Sequence, residues 1–237
     1  MDNAGYASLT RQSGLMREMQ VVANNIANAA TTGFRQEGLG FGEYVKRLED
    51  APSLSMATAN LRSTSMTQGG LTQTGGQFDF AIEGLGFFLI ETPAGERLTR
   101  AGSFSLSAEG DLVTNDGHRV LDAGGAPVFV PPDASDLSVA ADGTVSSNGR
   151  PLSQIGVYQP QNVNDLIRED GVMFRSDSGF EPVDSPVMAQ GFLEGSNVDP
   201  VKQIARMIEV QRAYELGQSF LESEDERIRN SLKTLMR

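Results

Sequence analysis

The spacing of apolar residues predicts a long helix at each end of the chain. Leu15, Met19, Val22 and Ile26 recur at intervals of four, three and four residues, which places them on one helical face. Near the other end, Asp199-Pro200 supplies a favoured N-cap followed by proline in the first turn. The apolar stripe that follows has the heptad-like spacing of a coiled coil and consists of Ile204, Met207, Val210, Tyr214, Gly217, Leu221, Ile228, Leu232 and Leu235.

The middle of the chain changes to the two-residue period of β-strands. Phe78, Phe80 and Ile82 alternate with less apolar residues. Asp142-Gly143 and Asn148-Gly149 are typical hairpin turns. The sequence therefore predicts an α+β fold. A discontinuous, coiled-coil-like helical domain is formed by the N- and C-terminal helices, and the central domain is mainly antiparallel β.

The predicted domains divide the chain into four segments. Residues 1–36 and 194–237 supply the two helices of the helical domain, and residues 76–193 form the central β domain. Residues 37–75 are predicted to be an extended connector. An isolated amphipathic helix is marginal in water unless its apolar face is covered. The two terminal helices are therefore predicted to pair with each other, with other subunits, or with both.

Charge and composition exclude several functions. The net charge is −12, which argues against binding to nucleic acid or to an anionic membrane surface. The chain has no Cys and a single His, His118, which excludes thiol catalysis, disulfides and a His-rich metal site. No apolar stretch approaches the ~20 residues that span a bilayer. The N-terminus lacks the basic and apolar regions of a cleaved signal peptide.

No residue pattern predicts catalysis. Gly84-Leu85-Gly86 resembles part of a dinucleotide fingerprint, but the apolar run after it predicts a strand, whereas the fingerprint needs a helix. Asp116 and Asp142 stand at turn positions, where Asp is favoured for local hydrogen bonding. We therefore expect no enzyme activity, cofactor or metal. The alternative class is a secreted β-rich carbohydrate-binding protein or enzyme.

An Asn-rich segment interrupts the first predicted helix. Asn24, Asn25 and Asn28 occupy positions where Asn is unfavourable for helix formation. One interpretation is that the helix frays before Gly33. The other is that Asn24 and Asn28, four residues apart on one face, hydrogen-bond across a packed interface and fix the register of the helices.

Four motifs together resemble the family of flagellar basal-body rod and hook proteins. The first is residues 23–28 with Thr32-Gly33-Phe34-Arg35, and the last is residues 194–198 with residues 207–215. Between them, residues 82–88 and 110–114 resemble parts of the family's central β domain. The motifs follow the order of the family and cover most of the chain.

The resemblance implies a structural subunit of the proximal rod, with a distal rod subunit as the alternative inside the family. The rod is a tubular drive shaft that crosses the periplasm and transmits torque. Its subunits assemble with copies of themselves and with other rod proteins, after type III export without signal cleavage, and neither nucleic acid nor membrane insertion is implied. The residues predicted to form the subunit interface are Leu15, Met19, Val22, Asn24, Asn25, Ile26, Asn28, Ile204, Met207, Val210, Gln211, Tyr214, Leu221 and Ile228.

Overall fold

The computed structural model describes residues 2–46, 54–131, 134 and 136–235. Helix α1 spans Asp2–Ala27 and helix α2 spans Pro200–Leu235. Between the helices, the described residues form strands and one short 3-10 helix, Val163–Asp165. The predicted α+β class, with a central antiparallel β region and a helix at each end, is confirmed. Neither helix holds, in its described residues, a segment long and apolar enough to cross a membrane.

The strands are numbered in chain order. Their bounds are β1 Glu37–Lys46, β2 Leu54–Thr64, β3 Leu71–Gln73, β4 Phe80–Glu83, β5 Phe87–Thr92, β6 Gly95–Thr99, β7 Phe104–Leu106, β8 Leu112–Thr114, β9 Arg119–Val120, β10 Leu137–Val139, β11 Thr144–Ser147, β12 Arg150–Gln154, β13 Val157–Pro160, β14 Leu166–Glu169, β15 Met173–Ser176, β16 Phe180–Pro182, β17 Val187–Gln190 and β18 Phe192–Glu194.

The chain divides into two compact units. The helical unit comprises Met1–Ala27, Glu37–Ser63 and Asp199–Arg237, and the β unit comprises Asn28–Gln36 and Thr64–Val198. Strands β1 and β2 pair with each other as a two-stranded sheet. The segment 37–75, predicted to be an extended connector, therefore contains strands β1, β2 and β3, while its residues 47–53 lie outside the described residues.

The helical unit brings α1 and α2 side by side in opposite directions. Residues 12, 18 and 25 of α1 contact residues 214, 206 and 203 of α2, so one number rises as the other falls. Helix α2 begins as predicted, because the Asp199 carboxylate accepts hydrogen bonds from the backbone N–H groups of Val201 and Lys202. Those hydrogen bonds, chiefly the one from Lys202, lower the pKa of Asp199.

The β unit is built around one large antiparallel sheet. Its nine strands include the ordered run β14-β15-β6-β5-β9-β8-β7, and β13 joins it by pairing with both β5 and β16. Smaller antiparallel groups are β10-β11-β12, β17-β4 and β18-β3.

Strand β5 is covered on both faces. Phe88 and Ile90 belong to one buried cluster, and Phe87 and Leu89 belong to a second. Successive side chains of a strand point to opposite faces, so these four consecutive residues serve two cores. That arrangement explains the unbroken apolar run that follows Gly86 in the sequence.

Gly33 lies beyond the end of α1, where two backbone segments of the β unit come close together. Helix α1 ends at Ala27, six residues before it. Gly33 adopts a φ of +71°, and a Cβ at this position would lie 2.3 Å from the backbone nitrogen of Ala101. Glycine is therefore required here by a close approach of two backbones within the β unit.

Replacing Gly33 by Ala tests this close approach. We expect Gly33→Ala to destabilise the β unit by about 3 kcal/mol or more, since a left-handed φ and a backbone overlap act together. The control is Gly117→Ala, because Gly117 has a φ of +83° but open space around its Cβ position; its cost is about 1 kcal/mol. Urea unfolding of both variants measures the difference, and equal losses would contradict the role assigned to Gly33.

Candidate assembly surface and buried polar joint

The helical seam is the line along which α1 and α2 pack. In α1, the buried residues Leu15, Glu18, Val22 and Asn25 follow one another at intervals of three or four. In α2, burial follows a heptad spacing through Gln203, Met207, Val210, Tyr214, Gly217, Leu221 and Glu224, and Ala213 beside Tyr214 is also half-buried. The seam is therefore rotated slightly from the predicted stripe, so that polar residues share it with apolar ones.

Asn25 joins three parts of the helical unit. Its side-chain amide donates hydrogen bonds to the backbone oxygen of Glu37 at 2.8 Å and to Gln203 Oε1 at 3.3 Å. Its Oδ1 accepts from the backbone N–H of Glu37 at 3.0 Å. Asn25 is 1% exposed, so it links α1, the first residue of β1 and α2 away from water.

Glu18 and Arg206 form a second polar link across the seam. The Arg206 Nε donates to Glu18 Oε1 at 2.7 Å, and this hydrogen bond is the main cause that raises the pKa of Arg206. Glu18 is buried, whereas half of the Arg206 side chain is exposed. An ion pair open to solvent on one side contributes little to stability. We therefore infer that this pair fixes the register of α1 against α2 and adds little to the stability of the helix pair.

Gln12 and Gly217 form the third link. The Gln12 amide donates to the backbone oxygen of Tyr214 at 3.0 Å. A Cβ at position 217 would lie 2.7 Å from Gln12 Nε2, so the missing side chain of Gly217 leaves the space that the amide occupies.

The predicted interface residues fall into three groups within the described chain. Leu15, Val22, Asn25 and Val210 are buried, and Met19, Ile26, Asn28, Met207, Tyr214 and Leu221 are half-buried. Asn24, Ile204, Gln211 and Ile228 are exposed on the single subunit. Contact of any of these residues with other subunits stays a prediction.

A second polar cluster, the arginine joint, lies inside the β unit and consists of Arg35, Arg100 and Glu194. The Arg35 Nη2 lies 3.1 Å from Glu194 Oε1, and the Arg100 Nη1 lies 2.9 Å from Glu194 Oε2. Each of the three side chains is 1% exposed. One carboxylate therefore serves two guanidinium groups in the core.

The guanidinium groups also hold backbone carbonyls from distant segments. Arg100 donates to the oxygens of Ile82 and Gly84, and Arg35 donates to those of Met66 and Thr67. Burial lowers the pKa of Arg100 to about 10, although Glu194 opposes that change. At neutral pH both arginines remain charged and keep Glu194 as their counter-ion.

The arginine joint brings three sequence motifs together. Arg35 belongs to the motif near α1, Glu194 begins the motif near α2, and Arg100 binds the Ile82–Gly84 turn of the motif at residues 82–88. The backbone confirms the convergence, since the Gly33 N–H donates to the oxygen of Glu194 at 2.7 Å. Gly33 and Glu194 are therefore in direct contact although they are 161 positions apart in the chain.

Arg168 extends the joint and was not anticipated from the sequence. Its guanidinium carbon lies 4.2 Å from the centre of the Phe34 ring and 4.7 Å from that of Phe174. It also donates to the backbone oxygen of Arg35. The sequence carries no signal for such stacking, because Phe34 and Arg35 lie far from Arg168 along the chain and the contact with Phe174 depends on the register of the β14–β15 pair.

Three protein-family models match the chain in sequential order. Residues 6–35 match the flagella basal body rod protein model, and residues 81–147 match the flagellar hook protein FlgE/F/G D1 domain. Residues 189–234 match the flagellar basal body rod FlgEFG protein C-terminal model. The matched segments contain the helical seam and all three residues of the arginine joint.

Curated relatives match the chain from end to end. The flagellar basal-body rod protein FlgF of Caulobacter vibrioides is 38% identical over 241 residues, which cover 99% of this chain and 98% of the relative. The chain belongs to the flagellar basal-body rod protein family. The FlgF protein of Mesorhizobium japonicum is 36% identical with the same coverage, and the FlgG protein of Caulobacter vibrioides is 30% identical over 92% of this chain.

Family membership confirms the resemblance drawn from the motifs. A rod-family protein is a structural subunit of the bacterial flagellum, located in the basal body and assembled with other rod proteins. The residues that matter are therefore those that shape surfaces and hold segments together, as the helical seam and the arginine joint do.

Removing the Asn25 amide tests the helical seam. We expect Asn25→Ala to lower the stability of the helical unit by about 2 kcal/mol, because the buried N–H and C=O groups of Glu37 lose their partner. The control is Gln20→Ala at an exposed position of the same helix, which should change stability by only a few tenths of a kcal/mol. Thermal unfolding followed by far-UV circular dichroism gives both values, and the reverse order would refute the assignment.

Neutralising Glu194 tests the arginine joint. Glu194→Gln keeps the side-chain shape but leaves two buried guanidinium groups without a counter-ion, for which we expect a loss of about 3–5 kcal/mol. Glu91→Gln is the control, since Glu91 pairs with Arg119 at the surface, and its loss should stay below about 1 kcal/mol. Chemical denaturation measures the free energy of unfolding of both variants. Equal losses for Glu194→Gln and Glu91→Gln would contradict the role assigned to the joint.

Proposed function

We propose that this chain is a proximal rod subunit of the FlgF type, which polymerises through its terminal helices into the tubular drive shaft that transmits torque. The observation that carries the proposal is the end-to-end match to FlgF proteins combined with a helical unit built from both chain ends. The distal rod protein is the second candidate, since FlgG proteins also match most of the chain.

A comparison within one organism favours the proximal assignment. The FlgF protein of Caulobacter vibrioides is 38% identical to this chain, and the FlgG protein of the same bacterium is 30% identical. The alignment covers 99% of this chain for FlgF and 92% for FlgG. Because both relatives come from one species, the difference reflects the type of rod protein rather than the distance between organisms.

The sequence prediction assigns residues 1–36 and 194–237 to the axial helical domain, residues 76–193 to the central β domain and residues 37–75 to a connector. The compact units adjust these bounds, because residues 28–36 and 194–198 belong to the β unit and residues 37–63 belong to the helical unit. The heptad spacing of burial along α2 and its opposite run to α1 support a coiled-coil-like pairing of the two helices. Of the predicted interface residues, Asn24, Ile204, Gln211 and Ile228 are exposed in a single copy and are available for contact with other subunits.

The remaining parts of the proposal follow from the rod function. The subunit acts without catalysis or cofactor, it leaves the cell through the flagellar type III apparatus without signal cleavage, and it forms part of a rod that crosses the periplasm. Its partners are copies of itself, other rod proteins and the export apparatus. Neither nucleic acid nor membrane insertion belongs to this function.

The location of the subunit can be measured on purified basal bodies from the source bacterium. We expect mass spectrometry to find the chain in the rod fraction, with its N-terminus intact or shortened by Met1 alone. Labelling with a specific antibody should mark the rod near the inner membrane. Labelling next to the hook would instead support the distal type, and loss of about 15 or more N-terminal residues would contradict export without cleavage.

A further inference from the structure

The chain passes between its helical unit and its β unit four times in the division of the described residues. These passages follow Ala27, Gln36, Ser63 and Val198. Each passage is a covalent link through which a force applied to the terminal helices reaches the β unit. The residues on the β-unit side of the passages therefore determine whether the links bear a load separately or together.

Asn197, next to the last passage, binds beside two of the others. Its Oδ1 accepts a hydrogen bond from the backbone N–H of Gln36 at 2.5 Å. Its Nδ2 donates to the backbone oxygen of Thr67 at 2.7 Å and to that of Ser65 at 3.3 Å. Gln36 is the last β-unit residue before the second passage, and Ser65 is the second residue after the third. One side chain therefore joins the β-unit ends of three passages.

Backbone hydrogen bonds close this arrangement into a triangle. The Ser65 N–H donates to the oxygen of Gln36 at 2.8 Å. Gln36, Ser65 and Asn197 are thus hydrogen-bonded in all three pairs. We call these three residues the Asn197 triangle. Displacing one of its corners breaks hydrogen bonds to both of the other two.

The first passage is joined to the triangle through two consecutive turns. The Thr31 N–H donates to the oxygen of Asn28 at 3.1 Å, and the Phe34 N–H donates to the oxygen of Thr31 at 3.2 Å. Asn28 is the first β-unit residue after this passage. The oxygen of Phe34 in turn accepts from the backbone N–H of Asn197 at 3.2 Å. Hydrogen bonds within the β unit therefore connect all four passages.

The chemistry of the Asn side chain fits this position. A short side-chain amide carries an acceptor and two donors on one planar group. In loops, Asn ordinarily uses them to bind its own backbone two residues away. The partners of Asn197 instead lie 161 and 132 positions away, at Gln36 and Ser65. The side chain therefore serves to connect distant segments.

We propose that Asn197 is a positioning residue for torque transmission, because it ties the four passages into one mechanical joint. With the tie in place the links yield together and share the load. Without it, each link yields on its own. The inference rests on the proposed function, and it names the residue that makes the covalent links between the two units act as one.

Amide hydrogen exchange on the full-length chain tests the tie in solution. Asn197→Ala removes the acceptor of the Gln36 N–H but leaves that of the Ser65 N–H, which is the backbone oxygen of Gln36. If the segments open as one unit, exchange of both amides should accelerate by about tenfold. Acceleration at Gln36 alone would show that the passages open independently, and it would overturn the proposal.

Two further variants separate the tie from a general loss of stability. Asn162→Ala is the control, since Asn162 also accepts from a backbone N–H, but only within its own turn, and both amides should keep their rates. Asn197→Asp keeps an oxygen for Gln36 and loses both donors, so the tie predicts faster exchange of both amides here as well. The amides of β5 report whether the β unit stays folded. Should Asn197→Ala accelerate their exchange too, Asn197→Asp supplies the test.

Swimming under load tests the mechanical role in the source bacterium. Val145→Ala is the comparison, because Val145 is 1% exposed in the apolar core of the β unit and its loss weakens the fold without touching the triangle. Speed is compared only among cells with complete rods. We expect the speed of Asn197→Ala cells to fall more steeply with the viscosity of the medium, since the load on each link rises with it.

The two assays separate this inference from the proposed function. If the unmodified chain is absent from basal bodies, the proposed function fails, whereas coupled exchange in solution would still establish the tie. If exchange is coupled and the chain is in the rod, but Asn197→Ala and Val145→Ala cells slow equally with viscosity, the mechanical role is overturned and the rod function stands.

Discussion

The β unit depends on the neutralisation of two buried cations by one carboxylate. Arg35 and Arg100 are held in the core, and Glu194 is their shared counter-ion. Burial alone makes the charged guanidinium groups unfavourable, as the lowered pKa of Arg100 shows. The surrounding backbone oxygens and the Gly69 N–H supply further hydrogen bonds, but the Nε atoms of Arg35 and Arg100 are buried without a hydrogen-bond partner among the described residues. The cluster is therefore neutralised by Glu194 but only partly satisfied by hydrogen bonds.

Such a cluster is better suited to specifying a structure than to strengthening it. Well-packed apolar residues of similar size often stabilise a core as well as a buried ion pair does, or better. A charged cluster, however, leaves no acceptable alternative arrangement, because any displaced member would remain charged in a dry environment. In this protein it binds together the segment that follows α1, the segment that precedes α2 and the turn at residues 82–86.

The sequence was sufficient to predict the two helices and the central β region, but it predicted neither strands β1 to β3 nor the contacts between distant elements. The hydrophobic period, the helix N-cap and the turn residues are patterns of neighbouring residues in the chain. They were therefore enough to predict α1, the start of α2 at Pro200 and the antiparallel β region. Arg35, Arg100 and Glu194 are far apart in the chain, and no local pattern pairs them. The family motifs contained Arg35 and Glu194 without showing that they meet.

The sequence also failed to predict all of the individual residues that are buried in the seam of the helical unit. An apolar stripe predicts which face of a helix is covered, but it favours Met19 and Ile26 over their polar neighbours. The structure instead buries Glu18 and Asn25, each with a partner on α2. A buried polar residue is acceptable once its partner is in place, and the partner is a property of the fold that hydrophobicity does not encode.

Polar residues in the seam allow the helix pair to be stable and, at the same time, to have one defined register. An all-apolar seam would stabilise many registers almost equally, whereas a misplaced amide or carboxylate loses its hydrogen bonds. Gln12, Glu18 and Asn25 each reach a different residue of α2, so a shift of α1 by one turn would break all three links. The register of the helices determines which side chains stand on their outer faces. A subunit that polymerises through those faces therefore requires a defined register before it requires a more stable helix pair.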